Sequence, residues 1–310
     1  MFRFIASRFL QAIIALVCVL TLTFVLSRFA PGSAFEDERK IPEHILEQQR
    51  EALGLNKPII VQWAKNIGNA AAGFPQESWG NSGFTVREVI LQALPVSFAI
   101  GIAGLLIALA LGIPIGMIAA ARRNTAVDYS AMSLALVGIC LPTFVIGPLL
   151  SAFFGIHLRW FNALGWNGPT DWVLPSLVLG LFYAAYIARL SRGGMLEMLS
   201  QDFVRTARAK GLPEWRVLVI HTLRGGMLPV VNYLGPAFAS LLGGSFVIES
   251  IFQLPGLGTH FINAARNRDE PLIQGTVIVF AILILLLNFL ADVVSVLLNP
   301  RLRTADKPIS

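Results

Sequence analysis

Residues 205–224 read RTARAKGLPEWRVLVIHTLR and concentrate basic side chains within a chain that is otherwise mostly apolar. Six of these residues carry positive charge once His221 is protonated: Arg205, Arg208, Lys210, Arg216, His221 and Arg224. Guanidinium and ammonium groups form charge-assisted hydrogen bonds with carboxylates and phosphates. The segment therefore predicts a docking element for a soluble partner or for acidic headgroups at a membrane surface.

Two acidic residues, Glu249 and Asp292, fall inside long apolar stretches. Ionisable groups at membrane depth are costly and usually face the interior of a helix bundle or a cavity. One interpretation places both carboxylates on a path or gate through the membrane. The other makes them structural partners of a backbone donor, a neighbouring subunit or a cation at headgroup level, because both lie toward the ends of their stretches.

Catalytic and metal-binding arrangements are not predicted. The histidines are scattered along the chain, at His44, His157, His221 and His260. A serine hydrolase acting inside the membrane would need a Ser and a His within hydrogen-bond reach at that depth, so we interpret Ser245 as a small packing residue. The sequence has no G-x-x-x-x-G-K-[ST] phosphate loop. We expect no metal or other cofactor on this chain, and energy supplied by another subunit or an ion gradient.

The elements that must position these residues are membrane-spanning helices. Of the 310 residues, 55% are apolar and only 14% are charged, whereas a soluble globule would carry about 25% charge. A helix of about 20 apolar residues crosses about 30 Å of hydrocarbon. The sequence predicts an all-α membrane protein with six such helices, at 9–29, 95–118, 129–153, 172–190, 229–252 and 275–298.

The distribution of Lys and Arg predicts the orientation. With the N-terminus in the cytoplasm, the inside segments hold fourteen of these residues and the short outside segments 154–171 and 253–274 hold three. Cytoplasmic loops of membrane proteins carry such an excess. Both termini are therefore expected in the cytoplasm, and the net charge of +6 reflects topology and anionic lipid rather than nucleic acid.

The predicted spans divide the chain. The proposed parts are an N-terminal end with the first helix, an outside helical segment, a domain of five helices and a short tail, at 1–30, 31–94, 95–300 and 301–310. Within the outside segment, PEHILEQQREALG (42–54) and KPIIVQWAKNIGNAAAG (57–73) each predict a short helix, the first from Pro near its start to Gly at its stop.

The longest inside loop, 191–228, is predicted to hold two short helices joined at a bend. Residues 197–210 have helical character, Gly211 breaks the helix, and Pro213 opens a second stretch that continues to Ile220. A short helix of this kind inserts into a groove of a partner protein. The alternative is an interfacial amphipathic helix bound only to headgroups.

A second loop, on the outside, begins with the tight turn LPGLG at 254–258 and continues into FINAARNRDEP. Its charged residues Arg266, Arg268 and Asp269 are candidates for contact with an external partner protein. The alternative is a solvated loop end.

The motif RTARAKG at 205–211, followed by HTLR at 221–224, resembles the cytoplasmic coupling loop of binding-protein-dependent ABC importer permeases of the peptide and nickel group. The general family pattern is E-A-A, three residues, G, nine residues and I-x-L-P. On that register Ala207, Gly211 and Leu223 fit, and the departures are those of the peptide-permease branch. The resemblance covers nearly the whole chain, through RFAPGS at 28–33, LGLNKP at 53–58, LPGLG at 254–258, NRDEP at 267–271 and NPRLR at 299–303.

This resemblance implies a type I ABC importer permease in a bacterial inner membrane. It implies pairing with a homologous second permease above two ATPase subunits, which would bind ATP and Mg, and delivery of oligopeptides by a periplasmic or lipid-anchored binding protein. Contact with that binding protein would fall to Arg266, Arg268 and Asp269. Dipeptides, nickel chelates and glutathione remain open as substrates. The alternative of another class is an ion-coupled secondary carrier, which would need ionisable residues at the membrane midplane.

The same resemblance implies that one short segment docks the ATPase. Its residues are Arg205, Thr206, Ala207, Arg208, Ala209, Lys210, Gly211 and Leu212. Thr206 and Ala207 would form a small contact surface and Gly211 a hinge. We expect Gly211→Asp or Ala207→Glu to abolish uptake while leaving the chain in the membrane.

Overall fold

The computed structural model describes the backbone of residues 2–29, 51, 56–81 and 83–298, and the side chains of that set between residues 8 and 290. The predicted helix at 42–54 lies outside the described residues, except for Glu51. Two compact units are distinguished, Met1–Val96 with Pro255–Leu285 and Ser97–Leu254 with Leu286–Ser310.

The described residues are almost entirely helical. The helices are α1 (Phe2–Phe29), α2 (Ile59–Ala71), α3 (Val86–Ala121), α4 (Ala126–Cys140), α5 (Thr143–Leu150), α6 (Val173–Leu199), α7 (Asp202–Ala209), α8 (Glu214–Arg216), α9 (Leu223–Gly226), α10 (Leu228–Ile251), α11 (Leu257–Asn267) and α12 (Glu270–Leu298). A π-helical segment, Ser151–His157, continues α5, and another, Val217–Thr222, joins α8 to α9. The predicted short helix at 57–73 is confirmed as α2.

Within the described residues, five helical segments are long and apolar enough to cross a membrane: Arg8–Phe29, Val86–Ala121, Val173–Leu199, Leu228–Ile251 and Glu270–Leu290. A sixth span results if α4 and the helix Thr143–His157 count as one. The all-α fold with up to six spans is confirmed.

The third predicted span, 129–153, is wrong as a single straight helix. Its two halves, Ala126–Cys140 and Thr143–His157, meet at an angle of 98°. The cause is Pro142, which lacks an N–H and disfavours helical geometry in the residue before it. Leu141 accordingly adopts extended angles, with φ −80° and ψ 119°.

Glycines allow α3 and α6 to pack closely in the second unit. A Cβ atom added to Gly112 would lie 2.8 Å from the Ala184 carbonyl oxygen, and one added to Gly116 would collide with the Ala188 carbonyl. On the other helix, a Cβ at Gly180 would lie 2.6 Å from the Ile107 side chain. Small residues at such crossings let membrane helices approach each other, so α6 is held firmly along its length.

Candidate functional site

The coupling segment, defined here as residues 200–226, begins where α6 ends at Leu199. Its first helix, α7, ends in a Schellman motif: the Gly211 N–H donates to the Arg208 carbonyl at 2.9 Å and the Leu212 N–H donates to the Ala207 carbonyl at 3.3 Å. Gly211 has φ +77°, a left-handed conformation that glycine adopts without steric cost. The chain therefore reverses at Gly211 and enters α8 after Pro213.

A small apolar core lies beneath α7. Val204 and Val217 are fully buried, Ala207 is 7% exposed, and Leu199 and Leu212 pack against them. This core ties α7 to the π-helical segment that follows α8. Ala207, expected as part of a small contact surface, lies beneath that surface, whereas its neighbour Thr206 is exposed.

An ion pair bridges the reversal at Gly211. The Arg208 guanidinium donates to Glu214 from Nε at 3.1 Å and from Nη2 at 2.5 Å. This hydrogen bond to the carboxylate raises the pKa of Arg208 above its usual range. Both side chains are about half exposed, so the pair contributes only about 0.2–1 kcal/mol, but it orients the Arg208 side chain along the segment.

The remaining predicted docking residues lie on the outer surface of the segment. Arg205, Ala209 and Lys210 are exposed, as are Thr206 and Gly211. Arg205 makes a long contact of 3.4 Å with Asp202, and both side chains are largely in solvent. The predicted docking residues on this outer surface are thus small, polar or cationic, and they lie above a closed apolar core.

The base of the segment is a close crossing between the end of α6 and α9. A Cβ atom at Gly194 would collide with the Gly226 carbonyl, and one at Gly226 would lie 2.7 Å from the Met195 sulfur. Met195 itself is fully buried, and a Cβ at Gly225 would lie 2.7 Å from the Met198 sulfur. The end of the coupling segment is therefore packed tightly against the last turns of α6, the helix from which the segment starts.

This crossing was missed by the sequence analysis, although a signal for it exists. The pentapeptide RGGML occurs twice, at 192–196 and 224–228. The two copies supply the facing glycines of the crossing.

The structure corrects three expected boundaries of this region. Helix α6 continues to Leu199, beyond the predicted start of the loop at 191. The helical stretch predicted over 197–210 is interrupted because Gln201 is extended, with ψ 152°. The second stretch continues past Ile220 through the π-helical segment to Gly226.

A buried ion pair anchors α6 to the start of α4. The Arg192 guanidinium donates to Asp128 from Nε at 2.6 Å and from Nη2 at 2.7 Å. Asp128 is 1% exposed and also accepts the Asn124 N–H at 3.0 Å. Arg192 lies two turns before the end of α6 at Leu199, so this pair fixes the part of α6 that leads into the coupling segment.

Of the two acids predicted within spans, the structure describes the side chain of Glu249 but not that of Asp292. Glu249 is fully buried in α10 and accepts a hydrogen bond from the Ser245 hydroxyl at 2.9 Å. Its carboxylate is engaged inside the helix bundle of its own unit. Asp292 lies in α12, but its side chain is outside the described residues.

The outer loop places its three predicted contact residues differently. Asp269 is 1% exposed; its carboxylate accepts hydrogen bonds from the Ser78 hydroxyl, from the Gly80 N–H at 2.9 Å and from the Leu272 N–H at 3.1 Å. It therefore caps α12 and holds residues 78–81. Arg268 is partly buried, with φ +53°, and Arg266 is exposed.

Two known protein families match this chain. The family "Binding-protein-dependent transport system inner membrane component" matches residues 112–304. Its N-terminal companion, "Binding-prot-dependent transport system membrane comp, N-term", matches residues 1–98. Together the two families account for most of the chain.

Full-length relatives are found among bacterial permeases. The chain is 40% identical to the oligopeptide transport system permease protein OppB of Salmonella typhimurium, over 98% of this chain and all of that protein. It is 38% identical to the dipeptide transport system permease protein DppB of Bacillus subtilis, over 99% of this chain and all of that protein.

Among solved structures, the inward-facing methionine ABC transporter MetNI has a chain with the same fold. The TM-score is 0.58 at 16% sequence identity, over 68% of this chain and 96% of that chain.

Proposed function

This chain belongs to the family of binding-protein-dependent transport system inner membrane components, and we propose that it is the transmembrane permease subunit of an ATP-driven importer of oligopeptides. The observation that carries the proposal is the 40% identity to an oligopeptide permease over 98% of this chain. The similarity to a dipeptide permease makes dipeptides the second candidate substrate. Nickel chelates and glutathione are further alternatives within the same class.

The chain works, in this proposal, as one of several subunits. A homologous second permease pairs with it, a binding protein delivers the peptide, and two ATPase subunits bind ATP and Mg. The spans described above make it a multi-pass inner-membrane protein, and the excess of Lys and Arg supports cytoplasmic termini.

The coupling segment is the proposed docking element for the ATPase. Its outer face offers Arg205, Thr206, Ala209 and Lys210 to a partner, and its inner core and locked base transmit a push without bending. Closure of the ATPases on ATP then shifts the permeases between inward- and outward-open states, because the two states bind the closed ATPases with different affinity.

The outer loop supports a more limited contact with the binding protein. Arg266 is the exposed member of the predicted trio, and Arg268 lies beside it. Asp269 acts indirectly, by holding the loop in place.

Reconstitution in liposomes tests the function. The complete transporter with its binding protein is expected to accumulate labelled oligopeptide only when ATP is present on the ATPase side. Purified chain alone should not transport. Uptake by the chain alone under an ion gradient would favour the secondary carrier and overturn the proposal.

A further inference from the structure

Three of the four tyrosines of this chain meet in one cluster between α6 and α10. The ring centroids of Tyr186 and Tyr233 are 6.2 Å apart in a stacked arrangement. Phe182 contacts Tyr183 at 5.3 Å and Tyr186 at 5.4 Å, both edge-on. The fourth tyrosine, Tyr129, lies elsewhere on α4.

The cluster lies at membrane depth. Tyr186 is the central residue of α6 (Val173–Leu199). Ser240 lies near the middle of α10 (Leu228–Ile251), two helical turns after Tyr233 and therefore on the same side of the helix. The phenolic groups are therefore held where a membrane protein has little water unless it builds a path for it.

The cluster borders a polar face of α10 that stays open in this chain. Asn232, Pro236 and Ser240 are exposed and follow each other at intervals of four residues, which places them on one side of the helix. Further along, Cβ atoms added to Gly243 or Gly244 would have nothing within 4 Å. A hydroxyl group such as that of Ser240 is costly to leave against hydrocarbon, so this face is suited to water, substrate or protein rather than lipid.

The acid of α10 does not lie on the open face, and an exposed cation, Arg189, follows Tyr186 by one turn of α6. Glu249, the acid first considered for a path, is fully buried and bonded to Ser245. What remains for a passing molecule beside this cation are hydroxyl groups and aromatic rings, at Tyr186, Tyr233 and Ser240.

We propose that this tyrosine cluster, with Ser240, forms a binding site for the main chain of the transported peptide. A phenol or serine hydroxyl both donates and accepts, and so matches the N–H and C=O groups that every peptide carries whatever its side chains. The aromatic faces accept apolar side chains. The inference rests on the proposed function, because it requires peptide to pass this face.

Thiol labelling tests whether the face meets water and peptide. Tyr186→Cys and Ser240→Cys are made in a background with Cys18→Ala and Cys140→Ala, because both native cysteines are exposed. In the complete transporter, a membrane-impermeant maleimide should label both positions, and saturating peptide with binding protein and ATP should slow labelling at least fivefold. The control Leu181→Cys, on an exposed apolar position of α6, should stay unlabelled.

The inference would be overturned if neither position were labelled in the nucleotide-free state and in the ATP-trapped state. It would also be overturned if both positions were labelled but peptide did not slow the labelling. Burial against the second permease would give the first of these results.

Transport by conservative variants provides the second test. Tyr186→Phe combined with Tyr233→Phe keeps the rings and removes two hydroxyls, so uptake should fall roughly five- to tenfold. For an analogue of the same peptide with N-methylated main-chain amides, the double variant should reduce uptake less. The reason is that such amides offer fewer hydrogen-bond partners to the removed hydroxyls. Tyr129→Phe is the matched control and should transport as the parent does.

Equal uptake by the double variant and the Tyr129→Phe control would overturn the inference and leave the proposed function intact. Uptake by the parent transporter without ATPases would instead overturn the proposed function.

Discussion

At Gly211, a single backbone conformation sets the direction of the coupling segment. The residue has φ +77° and closes the Schellman motif of α7, while a Cβ atom there would meet nothing within 4 Å. Space is therefore available for a side chain, and only the backbone angle restricts the residue type. The expected hinge is better described as a fixed reversal.

This distinction leads to a paired prediction. Gly211→Val should strongly reduce ATP-dependent uptake, because a β-branched residue in this conformation is strained, with about 1–2 kcal/mol for the left-handed geometry alone. Gly211→Asn should retain most uptake, since Asn tolerates that geometry. Uptake is measured with complete transporter at matched membrane abundance, and equal loss in both variants would contradict a conformational role.

Substitutions at the neighbouring residues Ala207 and Thr206 give a second paired prediction. Ala207→Glu would put a carboxylate into the core beside Val204 and Val217, which costs several kcal/mol without a partner, so the segment should open and become protease-sensitive. Thr206→Glu adds the same charge to the exposed face and should weaken ATPase copurification without raising protease sensitivity. Identical protease patterns for the two variants would show that the core does not hold α7.

The sequence predicted the break and restart of the helix in the segment proposed to dock the ATPase, but not which of its residues face outward. The glycine break and the proline start are local signals, and both appear in the structure at Gly211 and Pro213. The burial of Ala207 depends on Val217, ten residues further along, and on the fold that brings them together. The burial of Asp269 likewise depends on Ser78, which is distant in sequence.

Among the elements, the crossing of α6 with α9 packs the end of the coupling segment tightly against α6. The facing glycines of the two RGGML copies leave no room for even a methyl group at Gly194. Neighbouring Gly193 has nothing within 4 Å of its added Cβ. Gly194 is therefore the sensitive position, and Gly193, in the same turn of α6, is its control.

We expect Gly194→Ala to uncouple the transporter and Gly193→Ala to behave as the parent. The first change pushes α9 away from α6, so ATP hydrolysis should continue while peptide uptake falls at least tenfold. The ratio of peptide imported to ATP hydrolysed is measured for both variants in proteoliposomes. Normal coupling in Gly194→Ala would show that the crossing has no part in transmission.

The outer loop supports a further prediction about an element junction. Asp269→Ala removes the acceptor for Ser78, for the Gly80 N–H and for the first turn of α12, and each orphaned buried donor costs about 1–3 kcal/mol. The variant should lose thermal stability, measured by the midpoint of detergent-solubilised unfolding. Arg266→Ala, on an exposed side chain, should keep the midpoint and lower stimulation by the binding protein.

The bent third span shows what hydropathy does not predict about the shape of a helix. Residues 129–153 form one mostly apolar run that contains two prolines, Pro142 and Pro148, and proline is common in membrane helices. Hydropathy alone therefore predicts a single helix. The bend of 98° follows from the extended conformation of Leu141, which the sequence favours but does not dictate.

For the whole molecule, the account rests on a division of labour. In the proposed transporter, this chain would supply the spans, the open face and the coupling segment, and nucleotide bound by other subunits would supply the energy. The helical fold and the membrane spans can be predicted from the composition and length of the apolar segments, because the hydropathy of a segment is a sum over its own residues. How the segment meets an ATPase depends on the partner's surface, which no property of this sequence contains.

Photo-crosslinking from α7 tests this central claim most directly. Thr206, exposed in α7, is replaced by a benzophenone amino acid in the complete transporter, and Leu134, 71% exposed on α4, is the control position. The account predicts an adduct between position 206 and the ATPase subunit, identified by its peptides, and none with the ATPase from position 134. Adducts from position 206 to lipid alone, in transporter that still imports peptide, would contradict it.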